Sequence, residues 1–416
     1  MTSDTWQAVR CGRFFDAERG ELRRDVVLLL DGDRVVHVRP DGPDAVPAGS
    51  GVVDLSDCIV TPGLIDLHTH LVGEVEGASY AEIPTRSAAD EALAGVRNAW
   101  ATLQAGFTSV RDVGTFRALV DVSLRRAIDG GWVAGPRMTC AGAYVTCTGG
   151  GGEVTGFAPD VQLPPDFRFG VSDSVDEVRR SVRRILGGGA DFIKVIATGA
   201  VLAPGTNPGA PELSEAEIRA AVDEAALSGT FVAAHAHGAE GVKRAVRAGV
   251  RSVEHGSLAD EEALELMRDH GTYLVADVWN GDYIADTGTR EGWPAETLQK
   301  NADTTQTQRD AFARAVELGV RIGFGTDSGV YPHGMNARQL PVMVRLGLSP
   351  ADTLRAATVW AAECLGDADV GVLAPGRRAD LVAVSGHELG DLSGFATDVR
   401  LVMKGGQVVR DDDDRA

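Results

Sequence analysis

The sequence predicts an α/β protein: a (β/α)8 barrel with a small β-sandwich domain formed by the N- and C-terminal segments. Apolar strand-like runs alternate with helical patterns through the middle of the chain, as expected for parallel strands with crossover helices. Both ends instead contain consecutive strands joined by short turns. The predicted sandwich comprises residues 1–58 and 379–416, with an acidic tail, and the predicted barrel comprises residues 59–378. A doubly wound open sheet is the alternative for the middle.

The predicted terminal strands are short apolar runs separated by turn residues such as Asp31-Gly32-Asp33 and Gly405-Gly406. These strands are Val9–Phe15, Val26–Leu30, Arg34–Val38, Ala379–Val384, Val399–Lys404 and Gln407–Arg410.

The middle of the chain contains eight candidate strands, the number that one barrel needs. They are Ile59–Leu67, Thr108–Asp112, Arg137–Ala141, Phe192–Ile196, Phe231–His235, Ser252–Glu254, Thr272–Ala276 and Arg321–Thr326. Helical patterns lie between most of them. One begins at Ser214, where Glu217 can complete a capping box, and ends at Gly229. The functional site of such a barrel lies at the carboxyl ends of its strands.

Composition narrows the classes of partner. The chain has 416 residues, 44% of them hydrophobic, which supports a large core, and a formal net charge of -20. Such acidity disfavours nucleic acid and anionic membranes, because both repel a negative surface. No apolar run is long enough to cross a membrane, residues 1–6 do not resemble a signal peptide, and the five cysteines form no CxxC pair. We expect a cytoplasmic protein that acts on a small molecule.

The most informative motif is the pair His68 and His70. Residues i and i+2 of an extended strand point to the same face, so both imidazoles can reach one metal ion at the end of the first barrel strand. Two solvated loop histidines are the alternative.

Other predicted strands end in the same kinds of residue. His, Lys and Asp side chains follow or occupy the ends of four further strands. They are Lys194, His235, His237, His255 and Asp327. Imidazole and carboxylate are ligands of Zn²⁺, and two neighbouring metals need a bridging anion. A neutral Lys194 could react with CO2 to form a carbamate, which supplies such a bridge. The alternative is a buried lysine paired with Asp191 or Glu254.

These motifs together resemble the amidohydrolase superfamily, and most of all its imidazolonepropionase-related branch of metal-dependent amidases, which includes Xaa-Pro dipeptidases and N-acyl amino acid hydrolases. The resemblance spans almost the whole chain. The matching stretches are residues 61–70 (TPGLIDLHTH), 194–211 (KVIATGAVLAPGTNPGAP), 233–258 (AAHAHGAEGVKRAVRAGVRSVEHGSL), 323–336 (GFGTDSGVYPHGMN) and 371–381 (GVLAPGRRADL).

The resemblance implies a centre of two divalent metal ions, with zinc expected and Mn, Co and Fe as alternatives. It implies that His68, His70 and Asp327 bind one metal, that His235 and His255 bind the other, and that carboxylated Lys194 bridges them. Asp327 would also be the general base, taking the proton of a bridging hydroxide that attacks the amide carbon. Relatives form dimers to octamers, so the resemblance also implies a homo-oligomer.

Substrate contacts are expected from four residues, His237, Arg111, Tyr144 and His333. His237 resembles a position that contacts the scissile carbonyl or the substrate carboxylate. The alternative is that His237 forms a hydrogen bond to a metal ligand and does not touch the substrate. Arg111 could bind a carboxylate or pair with Asp112. Relatives often have a histidine in the glycine loop at 149–152, as GGHG, and here Gly151 stands in that place.

The sequence therefore predicts a dinuclear hydrolase of an amide bond in a dipeptide or N-acyl amino acid. A lactone or carbamate hydrolase with the same centre is an alternative. A deaminase or imidazolone-type hydrolase is another, although those relatives lack the strand-4 lysine. A binding protein without activity is disfavoured because no predicted ligand is missing.

Overall fold

The computed structural model describes residues 6–73, 82–158 and 160–412. Two compact units divide the chain. The first unit contains Met1–Asp66, Trp100–Val110 and Gly334–Ala416, and the second contains Leu67–Ala99 and Arg111–His333.

Most strands lie at the predicted positions, with small differences at their ends, whereas residues 51–58 of β4 and the short strand β8 were not predicted. The strands are β1 (Gln7–Asp16), β2 (Glu21–Asp31), β3 (Arg34–Pro40), β4 (Gly51–Pro62), β5 (Leu64–Thr69), β6 (Phe107–Asp112), β7 (Arg137–Cys140), β8 (Tyr144–Val145), β9 (Ile193–Ile196), β10 (Val232–Gly238), β11 (Ser252–Leu258), β12 (Tyr273–Ala276), β13 (Arg321–Phe324), β14 (Leu381–Ser385), β15 (Val399–Lys404) and β16 (Gln407–Asp411).

Helices fill most of the intervals between the barrel strands. They are α1 (Ala88–Gln104), α2 (Val120–Asp129), α3 (Val175–Gly187), α4 (Glu215–Leu227), α5 (Ala239–Ala248), α6 (Glu261–His270), α7 (Asn280–Tyr283), α8 (Thr289–Glu291), α9 (Ala295–Leu318), α10 (Leu340–Arg345), α11 (Pro350–Ala356), α12 (Val359–Leu365) and α13 (Gly394–Thr397). Short 3-10 helices lie at Ile83–Thr85, Pro165–Arg168 and Asn336–Gln339, and a π-helix at Ile284–Gly288.

Both ends of the chain contribute to one seven-stranded sheet, in the order β16-β15-β14-β4-β1-β2-β3. Its pairs are antiparallel except β1 with β4, and β2 and β3 are joined by the predicted turn at Gly32. Alternate residues point to one face of the sheet and form a buried apolar cluster that includes Val9, Leu28 and Leu401. The expectation that the two ends combine is confirmed.

The barrel strands form two hydrogen-bonded groups, β5-β6-β7 and β8-β9-β10-β11-β12-β13. The first and the last strand meet at their carboxyl ends, where Asp327 N donates to His68 O (2.8 Å) and His70 N donates to Ser328 O (2.8 Å). This contact brings the His68–His70 pair next to Asp327. The structure confirms the predicted (β/α)8 class.

One predicted strand is two strands. The run Ile59–Leu67 is interrupted at Gly63, so that residues up to Pro62 pair with β14 of the terminal sheet while Leu64 begins β5. The reason is close packing, because a Cβ at Gly63 would lie 2.1 Å from Thr108 Oγ1. Periodicity could not reveal this break, since every residue from Cys58 to Leu67 is buried.

Local sequence signals also position the helices. Ser214 accepts a hydrogen bond from Glu217 N while the Glu217 side chain accepts one from Ser214 N, which is the predicted capping box at the start of α4. No helix within the described residues is both long and apolar enough to cross a membrane.

Candidate functional site

Seven side chains at the carboxyl ends of the barrel strands form three overlapping groups that could hold metal ions. Within each group, one nitrogen or oxygen atom per residue lies within 4.8 Å of the others. The groups are His68-His70-Asp327, His235-His237-His255 and His255-Asp277-Asp327. Because His255 and Asp327 each belong to two groups, the donors form one continuous cluster, and all of them line a single cavity together with Lys194.

The first group lies where β5 and the segment after β13 meet. Oδ1 of Asp327 is 3.3 Å from Nε2 of His68 and 3.2 Å from Nε2 of His70. The other nitrogen of each ring faces an acceptor: Nδ1 of His68 is 3.0 Å from Glu254 Oε2, and Nδ1 of His70 is 2.9 Å from Gly114 O. A carbonyl and a carboxylate can only accept, so each Nδ1 is placed to donate, and each Nε2 points toward Asp327 in the cluster.

The second group shows the same arrangement at His255. Its Nδ1 is 2.9 Å from Asp277 Oδ1, and this contact fixes the orientation of the ring. His235 is oriented in the opposite sense, because its Nε2 is 3.1 Å from Gly199 O. The rings of His235 and His255 are 4.6 Å apart, centroid to centroid, so two imidazoles from neighbouring strands face one point.

His237 lies beside this group. Its Nδ1 is 2.8 Å from Ser257 Oγ, its backbone N–H donates to Thr198 Oγ1 (3.0 Å), and its ring stacks 4.7 Å from that of His255. The predicted i+2 relation to His235 holds because both residues lie in β10. The structure therefore places His237 at the cavity with one ring nitrogen engaged by Ser257.

Lys194 is buried in β9 and lines the cavity. Neither of the carboxylates considered for it forms an ion pair with it: Asp191 pairs with Arg125, and Glu254 pairs with Arg111 at 2.7 Å. Burial lowers the pKa of Lys194 from 10.5 to about 8, with Glu254 raising it and Arg111 lowering it. At this pKa roughly a tenth of the amine is neutral at pH 7, and the neutral fraction rises as the pH rises through 8.

The charges of the cluster favour an ionised carboxylate at Asp327 and neutral imidazoles at His68 and His235. Burial raises the pKa of Asp327, but His68 and His70 lower it by more, so that it lies well below its usual value. Burial also lowers the pKa of His68 and of His235. His255 is different: burial lowers its pKa, and Asp277 more than compensates, so the net pKa is raised.

The backbone at two of these residues is unusual. His255 has φ 69° and Asp327 has φ 57°. Residues other than glycine rarely adopt this left-handed region of backbone conformation. Such conformations persist only when the surrounding structure imposes them, and they are concentrated at functional sites.

The donor set fits divalent metal ions. Imidazoles whose second nitrogen is hydrogen-bonded to a carboxylate or carbonyl are typical metal ligands, because the hydrogen bond fixes both tautomer and orientation. The imidazoles of His68, His70 and His255 meet this description, and the Asp327 carboxylate adds oxygen donors beside them. The cluster could hold a metal, and several first-row ions accept such ligands.

Arg111 does not reach the cavity. It is fully buried, and its guanidinium donates to Glu254 Oε1 (2.7 Å), Leu67 O (2.6 Å) and Ser252 Oγ (3.0 Å). It pairs with Glu254 rather than with Asp112, which accepts backbone N–H groups instead. The Arg111 guanidinium is therefore engaged by Glu254, Leu67 and Ser252, and it lies outside the lining of the cavity in which a substrate contact was expected.

Tyr144 and His333 differ in position. Tyr144 lines the cavity, and its hydroxyl donates to Gly114 O (2.9 Å) beside His70. His333 is half-buried outside the lining, with Nε2 3.1 Å from His70 O. Tyr144 is thus placed to touch a ligand, whereas His333 supports the backbone of His70.

Sequence reasoning missed Asp277, Asn280 and Gln308. Asp277 directly follows β12, and Asp327 follows β13 by three residues. The position of Asp277 after a barrel strand could therefore have identified it as a candidate site residue. Asn280 Nδ2 donates to Asp277 Oδ2 and to Asp327 Oδ2 (both 3.1 Å), and Gln308 Nε2 donates to Asp277 Oδ1 (2.7 Å). No local pattern marks Asn280 or Gln308, which lie in α7 and α9.

The profile of the amidohydrolase family matches residues 59–409. An ochratoxinase of Aspergillus niger is 33% identical over 373 residues, which are 85% of this chain and 76% of that protein. The structure of a Xaa-Pro dipeptidase with methionine bound in its active site superposes with a TM-score of 0.91 at 34% identity, covering 97% of this chain and 100% of the other. A prolidase complexed with N-methylphosphonate-L-proline gives a TM-score of 0.89 at 34% identity, over 98% and 100%.

Proposed function

We propose a specific reaction for this chain from the premise that it belongs to the amidohydrolase family. Membership makes it a hydrolase that acts on C–N bonds. The reaction that we infer is cleavage of an amide bond in a dipeptide or N-acyl amino acid, with two divalent metal ions, zinc first among the candidates. One observation carries the proposal: the three donor groups overlap at His255 and Asp327, so that one cavity offers adjoining positions for two cations.

The proposed metal ligands are assigned from the three donor groups described above. His68, His70 and Asp327 would hold one ion and His235 and His255 the other. Lys194, buried and with a pKa lowered to about 8, would be carboxylated by CO2 and contribute the negative charge between them. When bound, the metals would lower the pKa of water and polarise the scissile carbonyl.

Side chains of this protein would carry out proton transfer and substrate positioning. An ionised carboxylate at Asp327 would accept the proton of the attacking water and pass it to the leaving nitrogen, as a general base and then a general acid. The hydrogen bond from Asn280 Nδ2 would hold that carboxylate in place. His237 would contact the carbonyl of the substrate through Nε2, because Nδ1 already faces Ser257.

The comparisons support the substrate class. The dipeptidase with bound methionine and the prolidase with N-methylphosphonate-L-proline cover almost this whole chain at 34% identity. The ochratoxinase is similarly related. These similarities favour amides with an amino acid on one side of the bond.

Metal analysis and a substrate screen test the proposal. Protein grown with zinc should contain about two metal equivalents per chain and hydrolyse members of a library of dipeptides and N-acyl amino acids. One equivalent or none would contradict the dinuclear centre. Activity confined to lactones or aminated rings would replace the proposed reaction.

Lys194→Ala tests the bridging role. It should lose metal and several orders of magnitude in activity, whereas Lys404→Ala, in β15 of the terminal sheet, should change neither. Near-native turnover of Lys194→Ala would refute the carbamate.

A further inference from the structure

The cavity has two chemically different sides. One side carries the metal-ligand candidates. The other is lined largely by apolar residues, and we call five of them the apolar wall; they come from three segments, after β6, at β8, and at the end of β9 and beyond. They are Phe116, Tyr144, Ile196, Ala200 and Leu202. The proposed reaction involves only the metal-ligand candidates. The apolar wall is therefore available to contact a substituent of the substrate beside the scissile bond.

The apolar wall is backed by a packed cluster. Phe116, Tyr144 and Ile196 belong to one buried group with Val154 and Phe167. The rings of Phe116 and Tyr144 meet edge to face at 5.2 Å. Because close packing behind the wall restricts rearrangement, its shape is largely preformed.

Two glycines make the wall flat. Gly151 and Gly152 line the cavity with bare backbone. A Cβ at Gly152 would lie 2.7 Å from Ile196 Cγ1, and one at Gly151 would lie 3.2 Å from the Cβ of Ala200. The glycine loop therefore closes onto Ile196 and Ala200 without filling the space in front of them.

The wall offers no partner for a charged substituent. Among the described residues that line the cavity, Lys194 is the only lysine or arginine. The arginines near the wall are engaged: Arg117 pairs with Asp166 at 2.6 Å, and Arg168 pairs with Glu153. Residues 74–81 contain no lysine, arginine or histidine. A carboxylate against the wall would lose its water without gaining an ion pair, at a high free-energy cost.

We infer that the apolar wall binds an uncharged, flat and apolar group, such as an aromatic ring, carried by one half of the substrate. The inference rests on the proposed amide hydrolysis and adds to it the chemistry of one substituent. A ring would stack against Ile196, Ala200 and the glycine backbone while the scissile carbonyl faces the ligand cluster. A free carboxylate, where the substrate has one, would lie away from the wall.

Two substrate series test this with the zinc-loaded full-length protein. The first is N-acetyl-, N-benzoyl- and N-succinyl-L-alanine, and the second is N-acetyl-alanine, -phenylalanine and -aspartate. In at least one series, the aromatic member should exceed the small member in kcat/KM by about tenfold or more, since additional apolar contacts in a pocket give discrimination on this order. The charged member should be poorer than the small one.

The outcomes separate the two proposals. If neither series is hydrolysed, nor any dipeptide, the proposed function fails. If both series are hydrolysed without preference for the aromatic member, or with preference for the charged one, the inference about the wall is overturned.

Filling the wall should remove the preference. Ala200→Leu should lower kcat/KM for the preferred aromatic substrate by about tenfold more than it lowers kcat/KM for the small substrate. Ala89→Leu, at an exposed position of α1, is the matched control. Gly151→Ala, a smaller addition at a residue whose φ is not positive, gives a second test if Ala200→Leu folds poorly. Equal losses for both substrates would contradict the role of the wall.

Discussion

Replacing Arg111 by methionine should destabilise the protein strongly, because it leaves a carboxylate buried without its cation. Arg111 and Glu254 are both fully buried, with 2.7 Å between Nη2 and Oε1. Methionine fills similar space but carries no charge. Removing one partner of a buried ion pair costs about 3–5 kcal/mol.

The structure places the expected cost at the lower end of that range. After the substitution, Glu254 would still accept a hydrogen bond from Ser252 Oγ (2.6 Å) and face His68 Nδ1 (3.0 Å). We therefore expect a loss of about 3 kcal/mol in the free energy of unfolding, or roughly a hundredfold in the folding equilibrium. Because Glu254 orients His68, metal affinity should also fall, by about 10- to 100-fold.

Denaturant unfolding of the chelator-treated protein measures the first effect, since a bound metal would add its own stabilisation. Arg290→Met is the control: this arginine forms an exposed ion pair with Asp286, and exposed pairs contribute about 0–1 kcal/mol. The double variant Arg111→Met with Glu254→Gln should recover part of the lost free energy of unfolding, because it replaces the buried, unpaired carboxylate of Glu254 with a neutral amide. The reasoning is wrong if Arg111→Met unfolds at the wild-type midpoint, or if the double variant is no more stable than the single one.

Three further predictions concern the site and its support. Asp327→Asn should retain much of its metal but lose turnover, and an unchanged rate and pH profile would show that Asp327 is not the base. At a constant concentration of dissolved CO2, reconstitution of metal-free protein with CO2 and zinc should accelerate from pH 7 to pH 9, because only the neutral amine reacts and the pKa of Lys194 is lowered to about 8; a rate that is independent of pH would count against carbamate formation. Ser214→Ala should reduce the free energy of unfolding by about 1 kcal/mol through loss of the α4 cap, while Ser228→Ala, at the other end of the helix, should change it little.

Much of the fold was readable from the sequence. The alternation of apolar runs and helical patterns located the barrel strands, and the turn at Gly32 and the capping box at Ser214 appeared as predicted. These signals are local, since side-chain periodicity and caps depend on residues a few positions apart. The break at Gly63 was not local and was missed.

The site was partly readable for the same reason. Polar residues at strand ends marked His68, His70, Lys194, His235, His255 and Asp327, and the structure brings all six to one cavity. Asp277 carried the same signal. Asn280 and Gln308 carried none, because a helix residue reaches a barrel mouth only through the way its helix packs.

The sequence by itself determined which donors stand at strand ends, because strand geometry directs alternate residues to one face. Only the tertiary structure decided which partner each imidazole nitrogen faces, that Arg111 pairs with Glu254, and that apolar residues line the same cavity as the donors. These outcomes depend on contacts between segments far apart in the chain, such as His68 with Glu254, and such contacts exist only once the barrel has closed.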